Sequence, residues 1–218
     1  MLKGKLQEGD IFFVKRKDKY FFGKILLDVS ERILKLEPQN LGLKFYSGCC
    51  LTAVYKGIYD KPELGTEELI IPSSFIFKKF FYSKKYKVEW NFYKNEPIDY
   101  RRLDFPEALQ SVHEKGICFS KGELQLVTNI TEEQYENEYK IIKGIKGSFE
   151  SLIDIASHYQ EREDLMDVIS KKQLEWSDFR FAPKKRKEVY KQIGEDMNQS
   201  YYEMALKHSF DLGKFYEK

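Results

Sequence analysis

Cysteine is scarce in this chain: three among 218 residues, two of them adjacent as Cys49-Cys50 and the third at Cys118. That number and spacing exclude a disulfide framework and read as small buried side chains of a reducing compartment. Histidine is equally scarce. His113, His158 and His208 are far apart in sequence, with no His-x-His or His-Glu-x-x-His pair to start a local metal site. No apolar run approaches the roughly 18 residues of a membrane span. The formal net charge is only +2, which fits neither a strongly basic nucleic-acid binder nor an acidic mimic of nucleic acid. There is no phosphate-binding Gly-x-x-x-x-Gly-Lys-Ser/Thr loop and no Gly-x-Ser-x-Gly elbow; Gly144-Ile145-Lys146-Gly147 reads as a helix stop. Residues 1–8 lack an apolar segment, so no signal peptide is expected and the expected location is the cytoplasm. No cofactor, no metal and no membrane partner is expected, and nucleic acid is not the expected partner.

Aromatic residues are abundant, at 16 %, mostly Phe and Tyr. They suit β-rich packing. Residues 9–127 carry most of the strand signals. Ile33–Leu36, Leu51–Tyr55 and Ile58-Tyr59 read as extended. Glu68–Pro72 reads as a strand ended by its proline, and Tyr86–Phe92 alternates with period two. Ile117–Phe119 and Leu124–Val127 flank a hairpin turn, and a short helix is expected within 106–115. After Val127 the pattern becomes helical. Thr131–Gln134 is a capping box opening a helix to about Ile142. Ser148 caps a helix with Phe149, Leu152, Ile153, Ala156 and Tyr159 on one face. Pro183 opens a third, and Ser200–Glu203 caps a last one lined by Tyr201, Met204, Ala205, His208, Leu212 and Phe215. The expected fold is α+β: an N-terminal antiparallel, barrel-like β domain over 1–127, followed by a helical domain over 128–218.

The opening is the most specific stretch. Gly9-Asp10-Ile11-Phe12 starts one strand, and Tyr20-Phe21-Phe22-Gly23-Lys24-Ile25 forms a second, with Lys15–Lys19 as a charged turn between them. Gly23 inside a strand predicts a bulge or a close backbone approach. This pattern resembles immunity protein 26, a family that protects bacteria against polymorphic toxins. Gly9, Asp10, Ile11 and Phe12 match its first motif; Tyr20, Gly23, Lys24 and Ile25 match its second. Phe21 stands where that family prefers glycine, and Lys15-Arg16 replaces its usual Pro-Leu. The resemblance covers about the first half of the chain. It implies a β scaffold that binds a cognate toxin domain and blocks its active site or substrate groove. The same family label has been attached to a small phosphotriesterase, which implies a metal-dependent hydrolase as the alternative.

No catalytic set emerges from the residues. Cys49, Cys50 and Cys118 read as core, and each histidine as structural. The run Lys184-Lys185-Arg186-Lys187 crowds the positive end of a helix, an arrangement the dipole disfavours by about 0.3–1 kcal/mol per charge. It reads as a solvated face offset by acidic neighbours such as Asp178. A nucleic-acid-binding module is the alternative it supports. Tyr20 and Phe22 are expected on one sheet face, and Trp90 and Phe92 on one face of theirs. The candidate partner-binding residues are Lys15, Lys17, Tyr20, Phe22, Lys24, Trp90 and Tyr93, with core packing as the competing reading for each aromatic. The sequence leaves the oligomeric state open.

Overall fold

The computed structural model describes residues 4–82, 89–139, 146–167 and 178–217. Lys17 and Asp18 both take positive φ, 45° and 62°, a two-residue turn whose twist matches that of the strands it joins. It links β1 (Asp10–Arg16) to β2 (Lys19–Asp28). The charged segment expected as a loop is therefore mostly strand, with Lys15 opposite Tyr20 and Arg16 opposite Lys19. Strands β3 (Cys49–Tyr55), β4 (Leu69–Phe77), β5 (Trp90–Asn95) and β9 (Lys146–Gly147) complete an open sheet of order β5-β1-β2-β3-β4-β9. Among the described residues only the β4–β9 pair is parallel. Strands β6 (Glu107–Val112), β7 (Gly116–Lys121) and β8 (Leu124–Val127) form a separate antiparallel sheet. The helices are α1 (Leu41–Lys44), α2 (Lys79–Tyr82), α3 (Glu132–Gln134), α4 (Phe149–His158), α5 (Pro183–Ile193) and α6 (Tyr201–Lys207). The class is α+β, and among the described residues neither sheet closes into a barrel.

The chain forms two units whose segments interleave. One comprises Met1–Lys35, Tyr46–Ile98 and Lys146–Leu174; the other comprises Leu36–Phe45, Asp99–Ile145 and Glu175–Lys218. The expected division at 127/128 falls inside the second unit, because β6–β8 belong with the later helices.

In the first unit, Ser148 caps α4 through the Ser151 amide, and Phe149, Leu152, Ile153 and Ala156 are buried. Phe149 meets Phe12 with ring centroids 4.7 Å apart. This is the close approach that Gly23 signals: a Cβ there would stand 2.6 Å from the Phe149 ring and 2.7 Å from Phe12. Arg16, at the end of β1, donates to Asp154 of α4 and to the Glu150 carbonyl, tying strand to helix.

In the second unit, Glu107 of β6 is fully buried and accepts from Lys121 (2.9 Å), Arg186 (2.6 and 2.8 Å) and the Tyr190 hydroxyl (2.7 Å). A buried carboxylate persists only when paired in this way. Arg186 and its neighbours hold it ionised, with its pKa lowered despite burial. Phe119 meets Tyr190 and Phe105 meets Tyr201 across the same unit.

Several local expectations change. Ile33 and Leu34 end a π-helical turn over Val29–Leu34, capped by Asp28 accepting from the Glu31 amide. Segment 107–112 is a strand, because its pairing with β7 outweighs a weak helical pattern. Pro72 lies within β4: pairing slips between Thr52/Ser74 and Val54/Ile71, so no ladder donor is required of it. The last helix stops at Lys207, Ser209 turns at φ 62°, and Leu212–Phe215 resumes as a 3-10 turn. The helix expected to reach Ile142 is described only to Tyr139, and the alternation at Tyr86–Phe92 only from its last residues; the rest lies outside the described residues.

Candidate functional site

The register of β1, β2 and β5 sorts their side chains onto two faces. Ile11 sits opposite Lys24, Phe13 opposite Phe22, and Lys15 opposite Tyr20, so these six share one face. Phe12 and Val14 point the other way, facing Phe92 and Trp90 across β5. Alternation along β5 puts Tyr93 on the first face, its ring 5.2 Å from Phe22, and a register shift between Ile11 and Phe12 places Lys94 opposite Ile11. The long connection between β3 and β4 adds Tyr59, which bridges to Tyr20 and packs edge-on against Phe22.

The product is a small apolar cluster of Ile11, Phe22 and Tyr55, fringed by the half-buried Phe13, Tyr20, Tyr59 and Leu64. Tyr93 remains 37 % exposed. Cations border the rings. Lys15 lies 5.9 Å from the Tyr20 centroid and pairs with Asp18; Lys94 lies 5.9 Å from Tyr93. Lys24 and Lys94 share Glu96 at 3.1 and 2.6 Å, which lowers the Glu96 pKa. Lys19 pairs with Asp60. Half-exposed rings with neutralised charges at the rim can bury area against another protein at small desolvation cost.

Of the seven sequence candidates, Lys15, Tyr20, Phe22, Lys24 and Tyr93 share this face. Phe22 is fully buried and supports the exposed rings without offering surface of its own. Lys17 sits in the turn, where its ammonium is held by the Asp164 and Met166 carbonyls and by Asp167. Trp90 is on the opposite face and donates its indole N–H to the Phe81 carbonyl at 3.0 Å. Phe13, Tyr59 and Lys94 belong to the face and were not singled out from sequence; Tyr59 arrives by a loop with no sequence signal of its destination.

The remaining candidates have structural partners. Lys185 donates to the Glu138 carbonyl and Arg186 to Glu107, so half of the 184–187 run is turned inward. Asp178 is buried and pairs with Arg180 instead of offsetting that run. Cys49, Cys50 and Cys118 are buried, and burial raises the Cys50 and Cys118 thiols, disfavouring thiolate. His208 lies 2.9 Å from Glu195, and His158 3.3 Å from Glu163. Among the described residues no group of three His, Cys, Asp or Glu side chains is placed to hold a metal ion. No described helix is long and apolar enough to cross a membrane.

A second feature lies within the other unit. Residues 37–42, β8 and the 208–210 corner enclose a cleft of about 810 Å³. Glu123, in the β7–β8 turn, lines it. Its Oε2 is buried without a hydrogen-bond partner. Burial pushes its pKa up to about 7, with Glu37 adding to the rise; the Leu43 amide, Asn40 and Lys214 oppose it. No protein-family model, curated protein or solved structure matches this chain.

Proposed function

We propose that this chain is a cytoplasmic immunity protein that neutralises a cognate toxin domain by covering its active site or substrate groove. The observation that supports this is the aromatic face of β1, β2 and β5. It combines a hairpin, the half-buried Phe13, Tyr20 and Tyr59, the exposed Tyr93, and paired lysines at the rim. Aromatic anchors on a rigid scaffold bind with little entropy loss and dominate interface energies. The resemblance at Gly9–Phe12 and Tyr20–Ile25 supplies the partner class. Those residues are also the ones that build the face: Tyr20 and Lys24 stand on it, and Gly23 lets α4 brace its back.

This reading expects a toxin gene immediately upstream, and the test is co-expression with the toxin domain that such a gene encodes. Growth protection by the chain, lost on Tyr20→Ala with Tyr93→Ala in a folded variant, is the expected result. Cells that die equally with and without the chain would refute the reading.

A further inference from the structure

Lys121 and Leu124 flank the two-residue turn Gly122-Glu123, and the hairpin continues as Ser120 with Gln125, Phe119 with Leu126, and Cys118 with Val127. Antiparallel pairs alternate between hydrogen-bonded and non-hydrogen-bonded. The pair closing the turn is the bonded kind, and so is Phe119 with Leu126. The amide and carbonyl of Gln125 and of Val127 therefore point to the outer edge of β8. Strand β8 ends its sheet, and among the described residues no strand pairs with that edge.

Leu124, Gln125 and Leu126 of this edge strand line the 810 Å³ cleft. Its lining is mixed, and the apolar part comes from Leu124 and Leu126 of β8 with Pro38, Leu41 and Phe210. Leu41 is 71 % exposed and Val127 59 % exposed, large values for aliphatic side chains beside a free strand edge. The two ends differ in charge. Glu123 stands at the turn end and Lys115, in the β6–β7 turn, at the other. Glu37 is already paired with Lys214 at 2.5 Å, and His208 with Glu195, so neither sets the polarity of the cleft.

We propose that this cleft binds an extended peptide segment of a partner protein, added antiparallel to β8 as a fourth strand. Its backbone bonds to Gln125 and Val127, and its alternate apolar side chains face Leu41 and Phe210. An acidic residue near its N-terminal end meets Lys115, and a basic one near its C-terminal end meets Glu123. Strand addition draws affinity from main-chain bonds and specificity from alternate side chains. The partnerless Glu123 oxygen is consistent with a site that gains a cationic donor on binding. This site belongs to the other unit and does not depend on the toxin reading.

The probe is a capped heptapeptide with valine at three alternate positions, glutamate at its N-terminal end and lysine at its C-terminal end. It is titrated into the isotope-labelled full chain and followed by NMR. Expected are shifts of the Gln125 and Val127 amides and of the Leu41 and Leu126 methyl groups. Exchanging the peptide's two charges should weaken binding about tenfold, since two rim pairs become two repulsions. Glu123→Lys should weaken the original peptide and favour one with glutamate at both ends. A peptide N-methylated at its β8-facing amides should fail to bind. Absence of shifts at about 1 mM peptide, equal binding by the methylated peptide, or self-association of the chain through β8 would each overturn the proposal.

Discussion

Replacing Glu123 with glutamine removes one ionisation while keeping the side chain's length and shape. In the native chain, burial pushes this carboxyl from its ordinary 4.5 up to about 7. Between those values the folded state holds a proton that the unfolded state has released. Stability therefore falls as pH rises through this window and levels off above about 7. The full shift corresponds to about 3 kcal/mol at 1.36 kcal/mol per unit. Part of the carboxyl group retains solvent access, so screening reduces the expected effect to about 1–2 kcal/mol. Glu123→Gln has no charge to bury and should escape this loss. Urea unfolding of both proteins between about pH 5 and 8 measures it. The stability of the variant relative to the parent should climb by that amount and then flatten above pH 7. A difference that stays constant with pH would refute the argument, because the carboxyl would then titrate alike in both states.

Other consequences follow from the buried contacts. Arg16→Ala withdraws the guanidinium from fully buried Asp154; a loss of about 3–5 kcal/mol in chemical denaturation is expected, largely restored when Asp154 is also made apolar. Gly23→Ala places a methyl group 2.6 Å from the Phe149 ring, and should cost about 1–3 kcal/mol, with partial recovery on Phe149→Leu. Tyr190→Phe removes the 2.7 Å hydroxyl bond to Glu107 and should destabilise by about 1.5–3 kcal/mol; an unchanged denaturation midpoint would show that Arg186 and Lys121 satisfy the carboxylate alone.

What was legible in the sequence was local. The Thr131 and Ser200 capping boxes, the Ser148 cap and Pro183 at the first turn of α5 all form as their spacing predicts. So do the opening hairpin and the tight approach at Gly23. What was missed depends on distant pairing. Glu107 and Arg186 are 79 positions apart, so a helix start crowded with cations could not be matched to the carboxylate that compensates it. One signal was available: Glu107 and Lys121 are charged residues beside otherwise apolar strand sequence, which is where a buried pair is found. The segment read as a short helix at 106–115 became a strand because β7 needed a partner. The aromatic face was half legible. Period two placed Tyr20 with Phe22 and Trp90 with Phe92, but a register shift in β1–β5 brought Lys94 opposite Ile11, and a loop delivered Tyr59. The cleft at β8 gave no sequence signal beyond a turn at Gly122-Glu123.

Toxin binding by the β1–β2–β5 face, as proposed, makes that face the place to test. Calorimetric titration of the purified chain with a toxin domain encoded immediately upstream, where the proposal expects one, is paired with an assay of that domain's activity. Expected are a one-to-one complex that abolishes activity, and at least about tenfold weaker binding by Tyr20→Ala with Tyr93→Ala. No complex, or equal affinity in that folded variant, would contradict the proposal.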